Sequence, residues 1–160
     1  DELRALLASA VRERLSPDST TAVSLSGGWD STAVYASGCA ISDRVHGVSI
    51  SYPPGDPGRE DETIALVTAR WGTTPDFIPS AEIPLFVDTE AAAARRDQPF
   101  AHVYEHWNRA LSRRARAAGA RVILDGVGGD NLFQASPVYL AELFRTLQWG
   151  ELLAQWRIWH

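Results

Sequence analysis

The residues best suited to chemistry are Ser26-Gly27-Gly28-Trp29-Asp30-Ser31, which follow the apolar run Ala22-Val23-Ser24-Leu25 and precede Thr32-Ala33-Val34-Tyr35-Ala36. A β-leaning run, two glycines among small residues and a helix-compatible run predict a strand, a tight turn and a helix N-terminus. Such a turn holds anions. Glycine permits positive φ and close backbone approach, and the free N–H groups and positive dipole end of the new helix face the ligand. Ser26 and Ser31 add hydroxyl donors. Asp30 sets a further condition, because a carboxylate beside phosphates repels them unless a divalent cation such as Mg²⁺ lies between. The loop therefore reads as a phosphate site that also takes a metal. It is not GxxxxGK[ST], since no lysine follows the glycines, and it is not GxGxxG. Read for structure alone, it is a Gly-Gly turn capped by Asp or Ser.

A second turn of the same kind, Gly126-Val127-Gly128-Gly129-Asp130, follows the strand-like Arg121-Val122-Ile123-Leu124-Asp125. In an open parallel sheet, ligands collect beyond the carboxyl ends of the strands where strand order reverses. If the first and fourth strands flank that point, both turns face one cleft. Asp30 and Asp130 then share a Mg²⁺ whose octahedral shell is completed by phosphate oxygens and water. The structural alternative is a strand-to-helix turn with Asp130 as N-cap.

The hexapeptide resembles the SGGxDS pyrophosphate-binding loop of the N-type ATP pyrophosphatases, and Val23 to Thr32 resembles its form in asparagine synthetases. Asp125-Gly126-Val127-Gly128-Gly129-Asp130-Asn131-Leu132-Phe133 resembles that family's S-G-x-G-x-D-E-x-F pattern, and Asp61-Glu62 falls where members commonly carry an acidic pair. Together the matches run from Leu3 to about Phe133. The resemblance implies the adenine nucleotide α-hydrolase-like fold, ATP and Mg²⁺ as cofactors, and an ATP-dependent carbon-nitrogen ligase. In such an enzyme a substrate carboxylate attacks the α-phosphorus of ATP to give an acyl-adenylate and pyrophosphate, and an amine then displaces AMP. It also implies roles: backbone groups of Leu25 and Ile50 on the adenine, Ser26, Gly27, Gly28, Asp30 and Ser31 on the leaving pyrophosphate, and Asp125 and Gly126 near the ribose and α-phosphate. Asp30 and Asp130 would be the metal-holding, catalytic pair.

Departures from the family pattern narrow the substrate. Asparagine synthetases usually place at Val127 a glutamate that assists the amine step, and usually another at Asn131. Valine neither accepts a proton nor hydrogen-bonds through its side chain. Ring-closing relatives, the β-lactam synthetases and lasso peptide cyclases, also lack that glutamate. The Gly-Gly-Asp form and Ser136 to Arg145 resemble the actinobacterial cyclases more loosely. The partners implied are a small-molecule or peptide carboxylate and an amine donor; the synthetase domain of a glutamine-hydrolysing asparagine synthetase is the alternative.

The surrounding elements are predicted to place both turns at one end of an α/β sheet. Leu3, Leu6, Leu7, Val11 and Leu15 make a helical stripe over residues 1–15. Strands are expected over Thr20–Leu25, Arg44–Ser51, Thr74–Ile78 and Arg121–Asp125, with helices over Thr32–Cys39, Asp61–Trp71 and Val103–Ala118 and around Ala91–Ala94. Tyr52 to Gly58, rich in Pro and Gly, is a loop on the phosphate side. The β-α-β-α-β order predicts a parallel sheet with helices on both faces. At 160 residues and 45% hydrophobic, the chain suits one domain spanning 1–160.

A net charge of −5 with scattered basic residues argues against nucleic acid as partner. No apolar run approaches the roughly 20 residues of a membrane helix and no signal peptide opens the chain, so the expectation is a cytoplasmic protein without a membrane partner. Arg113, Arg114, Arg116 and Arg121 read as a solvated helix face rather than a phosphate clamp, and Cys39 as a core residue. The chain has no methionine, its fifteen basic residues are all arginine, and it ends in aromatic residues. We therefore expect a piece truncated at both ends, with the family's later lysine and glutaminase domain among its missing segments, able to bind ATP but not to turn over efficiently. Two other classes fit parts of the sequence. His102-Val103-Tyr104-Glu105-His106 has the H-x-x-E-H form of inverted zinc proteases, with Glu142 or Glu151 as a possible third ligand. Six tryptophans, three of them after position 148, suit a non-catalytic nucleotide-binding or scaffold module with a partner surface.

Overall fold

The structure is a computed structural model that describes residues 2–83, 89–94, 104–133 and 137–159. It divides into two compact units, the first ending at Val127 and the second starting at Gly128. In the first unit β1 (Thr20–Ser24), β2 (Val45–Ser51), β3 (Asp76–Pro79) and β4 (Ala120–Leu124) form one sheet. Its order is β3-β2-β1-β4 and every pairing is parallel. Each connection is helical: α2 (Trp29–Cys39) follows β1, α3 (Asp61–Ala69) follows β2, and α4 (Thr89–Ala93) and α5 (Glu105–Ala117) precede β4. α1 (Glu2–Arg12) packs against α2; of its apolar stripe Val11 is buried, while Leu3 and Leu6 are exposed.

Strand alternation sorts the core into two layers. Ala22, Val48 and Ile78 face Leu111 and Ala115 of α5, whereas Val23, Leu25 and Val45 face Tyr35 of α2 and Ile64 of α3. The central strands thus carry apolar side chains on both faces, as a sheet covered on both sides requires. After β3 the chain returns across the sheet to lay β4 beside β1. Strand order therefore reverses between β1 and β4, which is where an open α/β sheet forms its ligand crevice.

Most boundaries fall within a residue or two of the sequence expectation, and two of the differences have clear local reasons. α2 begins at Trp29 rather than Thr32, because Gly28, extended at φ −72° and ψ 166°, already serves as N-cap. β3 begins at Asp76 rather than Thr74. Thr73 is drawn back onto the end of α3, where its backbone N–H and its hydroxyl both donate to the carbonyl of Thr68 (3.1 and 3.2 Å). Arg114 donates to Asp76 at 2.9 Å, holding α5 to the start of β3, so this half-buried arginine departs from the solvated face expected of its cluster, whereas Arg113, Arg116 and Arg121 are exposed.

The second unit consists of α6 (Gly129–Phe133), α7 (Pro137–Arg145) and α8 (Trp149–Trp159). Leu143 is buried, and Phe144 meets Trp149 edge-on with ring centres 5.2 Å apart. Among the described residues, no helix is long and apolar enough to cross a membrane.

Candidate active site

The first glycine turn emerges from β1 under tight control. Leu25 extends the ladder, its N–H donating to the carbonyl of Val48 at 2.8 Å and its own carbonyl accepting from Ser49 Oγ at 2.6 Å. Leu25 can therefore offer an adenine ring only the remaining lone pair of its carbonyl. Gly27 turns the chain at φ +82°, and α2 starts two residues later. Ser31 Oγ accepts from the N–H of Ser26 at 3.2 Å, lies 3.1 Å from Ser26 Oγ and donates to the carbonyl of Gly28 at 3.3 Å. Ser31 is buried, so this hydroxyl braces the loop rather than standing open to a ligand, whereas Ser26 is exposed. By helix geometry the N–H groups of Trp29, Asp30 and Ser31 have no intrahelical acceptor, which leaves a positive rim at the end of the turn.

The second turn begins directly against the first. A Cβ on Gly126 would fall 2.5 Å from the backbone nitrogen of Ser31 and 2.8 Å from both the carbonyl carbon and Cβ of Asp30. Only glycine allows the chain leaving β4 to close over the Asp30–Ser31 peptide. Asp125 shapes this start by accepting from the N–H of Val127 at 3.1 Å. Within the first unit, Gly126 is thus in contact with the Asp30–Ser31 peptide. Asp130 lies in the first turn of α6 in the second unit, inside the helix rather than at its N-cap, and Asn131 beside it is exposed. Trp29 and Val127 are 93% and 89% exposed, so neither is a core residue.

The half-buried Asp30 has no hydrogen-bond donor or ion-pair partner among the described residues. An unpartnered carboxylate on an anion-binding turn suits a Mg²⁺ held jointly with phosphate oxygens. No group of three His, Cys, Asp or Glu side chains is placed to hold a metal ion among the described residues. A Mg²⁺ here would thus have no more than two such side chains as ligands, with phosphate and water completing its shell.

Sequence reasoning gave no role to three residues beside this turn. A Cβ on Gly27 would lie 2.4 Å from the Cβ of Glu60 and 3.2 Å from its Oε2, so the residue before α3 packs on the turn. Asp61 Oδ2 accepts from Ser51 Oγ at 2.6 Å and from Arg59 Nε at 3.0 Å, while Asp61 Oδ1 is buried without a partner among the described residues. The sequence hints were Asp61-Glu62, which matched the family's acidic pair without a stated role, and the Pro/Gly loop on the phosphate side ahead of it. Beyond the half-buried Ile50, Tyr52 meets Trp107 edge-on at 5.5 Å, and Trp107 meets Tyr104 at 5.1 Å and donates Nε1–H to the carbonyl of Ile83 at 3.2 Å.

The H-x-x-E-H run gains no support. His102 lies outside the described residues, and Glu105 pairs with Arg109 one helical turn on at 2.8 Å. Cys39 is a half-buried free thiol whose pKa burial raises, the behaviour of a packing residue.

Comparison with known proteins decides the family. The sequence model of the asparagine synthase family matches residues 2–158. The chain belongs to the asparagine synthase family. Among solved structures it is similar to the NH3-dependent NAD synthetase from Campylobacter jejuni subsp. jejuni NCTC 11168, solved in complex with the nitrate ion. The TM-score is 0.57 at 14% identity over 86% of this chain. That likeness shows the fold, the parallel α/β sheet of the ATP pyrophosphatases. The chain spans 61% of the length of that synthetase. No curated protein sequence gives a significant match. The asparagine synthase family and its fold are those of ATP-using, ligase-type synthetases.

Proposed function

We propose that this chain forms the ATP site of a synthetase that adenylates a carboxylate, releases pyrophosphate and passes the acyl group to an amine. The observation that carries this reading is the glycine turn at the switch point, closed from above by Gly126 and ending in the unpartnered carboxylate of Asp30. The sheet fixes the turn through Leu25 and Ser49, and the two serines brace it, so its N–H donors are set before the nucleotide arrives. Preorganised donors aimed at a leaving group stabilise the charge that develops on it without reorganising during the reaction. Asp30 and Asp130 would hold Mg²⁺, which when bound supplies further charge stabilisation to the pyrophosphate. Leu25 and Ile50 would flank the adenine, and Asp125 and Gly126 the ribose and α-phosphate.

Val127 shapes the substrate assignment. It is almost fully exposed at the start of the second turn, where a glutamate would assist ammonia or another small amine. An apolar group there favours an acyl acceptor already positioned by the substrate itself, as in macrolactam closure by a lasso peptide cyclase. Segments of the same protein outside residues 1–160 would supply the family's lysine.

The test is isothermal titration of MgATP into the chain and into Asp30→Ala, without acyl substrate. Binding by the first that weakens at least about tenfold in the second supports the assignment, as expected when a charged contact is lost. Absence of binding to the unaltered chain would sink it.

A further inference from the structure

The phosphate turn sits in an acidic neighbourhood. Asp30 lies in the turn, Glu60 packs on Gly27, Asp61 follows Glu60, and Asp125 begins the second turn. A polyanionic nucleotide needs cationic side chains there as well as metal, and this chain has no lysine to provide one. Among the described residues of the sheet unit, Arg59 is the one arginine in a segment leaving the carboxyl end of a strand. Arg44 precedes β2, Arg114 is tied to the start of β3, and Arg109 is paired with Glu105 on α5.

Arg59 is also held in place. Its Nε–H donates to Asp61 Oδ2 at 3.0 Å, and the same oxygen accepts from Ser51 Oγ at 2.6 Å at the last residue of β2. The carboxylate is largely sheltered, with the Asp61 side chain 13% exposed, so the guanidinium is anchored to the sheet edge through it. The next residue, Glu60, has its Cβ against Gly27, which sets the Arg59 backbone roughly 3.8 Å from a residue touching the turn. Nε alone is engaged. The two terminal nitrogens have no acceptor among the described residues, and the side chain stays 37% exposed. A guanidinium fixed at Nε with both terminal NH₂ groups open presents the fork that binds phosphate oxygens in pairs.

Building on the ATP-site reading above, we infer that Arg59 binds the β- and γ-phosphates of the nucleotide and then the released pyrophosphate, with Asp61 as its positioning residue. The task differs from those of the turn and the metal. Turn donors meet the phosphates through backbone, Asp30 through Mg²⁺, and Arg59 through direct charge. Because the contact is to the terminal phosphates, it discriminates ATP and pyrophosphate from AMP.

The experiment is isothermal titration of three probes, Mg-pyrophosphate, MgATP and AMP, into the unaltered chain, Arg59→Met, Arg59→Lys and Asp61→Asn, with thermal unfolding of each variant. Arg59→Met should weaken pyrophosphate and MgATP about ten- to a hundredfold while leaving AMP within about twofold, the size expected for lost charged hydrogen bonds. Arg59→Lys should recover part of the loss, since charge returns without the fork. Asp61→Asn should weaken the same two probes less than Arg59→Met does. If the unaltered chain binds MgATP and Arg59→Met binds it equally well, the inference is overturned and the ATP site stands. It is likewise overturned if all three probes weaken together with a lowered melting temperature in both Arg59 variants, because Arg59 is then a brace. No binding of any probe by the unaltered chain overturns the ATP site and this inference with it.

Discussion

Glu60 packs against Gly27 so closely that a Cβ on the glycine would stand 2.4 Å from the Cβ of the glutamate. The start of α3 is thereby seated on the phosphate turn, and glycine is required there twice, by this contact and by φ +82°. Gly27→Ala should cost about 1–2 kcal/mol for the left-handed backbone and about 1–3 kcal/mol for overpacking. Urea unfolding checks the sum. Glu60→Gly in the same chain should return the packing part and leave the backbone part. A Gly27→Ala variant as stable as the parent would show that the turn is looser than this.

Gly126 differs because what a side chain would meet is backbone. The Ser31 nitrogen, 2.5 Å away, belongs to the first turn of α2 and cannot swing aside as a side chain would. Gly126→Ala should therefore push the second turn off the first and lose MgATP affinity by about tenfold or more. Its overpacking cost in stability should stay near about 1–3 kcal/mol. Parallel titration and urea unfolding separate the two effects. A variant that unfolds earlier yet binds as before would remove Gly126 from the site.

The elements that position the site were readable because each rests on short-range physics. Thr20 to Ser31 carries strand alternation followed by glycines and a helix-compatible run, and this stretch folds as β1, turn and α2. The run of strands and helices likewise implied a parallel sheet. Pairing of β1 with β4 then brings the two turns to adjacent strands. What the sequence hid depends on contacts between distant segments. Nothing in Gly27 or Glu60 announces their contact, since packing of a Cβ on a glycine has no periodicity. The Ser51–Asp61–Arg59 chain joins a strand end to a helix start across a loop with no repeating pattern. Ser31 was expected to face a ligand; its burial follows from the bonds it makes across the turn, which residue type alone does not disclose. A strand was expected from Thr74, but the residue before it, Thr73, serves the end of α3, because a hydroxyl able to reach a helix carbonyl competes with the ladder.

Asp30 should act through the metal rather than through the fold. Without Mg²⁺ its carboxylate opposes phosphate; with Mg²⁺ it attracts the complex. In EDTA, Asp30→Asn should therefore bind ATP as well as the parent or slightly better. In Mg²⁺ it should fall below the parent by about tenfold or more, since a charged metal contact is lost. Titrations with and without Mg²⁺ test this crossing of order. Equal loss in both conditions would mean that Asp30 organises the turn and does not hold the metal.

Tyr35 gives the fold a defined weakness in alkali. Its side chain is fully buried between α2 and the sheet, and its hydroxyl bonds Thr73 Oγ1. Burial, only partly offset by that bond, pushes its pKa from 10.0 up to about 12, and Cys39 alongside adds to the rise. The unfolded chain releases this proton near the ordinary tyrosine value, while the folded chain keeps it until about 12. Between those values the unfolded state binds fewer protons, so the slope of stability with pH is negative. The Tyr35 contribution is thus complete below about pH 10 and is lost as pH climbs toward about 12. Burial raises the Cys39 thiol too, which adds a loss of the same sign starting lower. No lysine titrates across this range, and arginine stays charged, so the alkaline fall belongs to tyrosine and cysteine. Tyr35→Phe should cost about 1 kcal/mol at neutral pH through its lost hydrogen bond and then decline less steeply than the parent. Urea midpoints from about pH 8 to about pH 11 decide it, because the gap between parent and variant must narrow as pH rises. A constant gap would mean that the folded protein lets Tyr35 ionise as freely as the unfolded chain does.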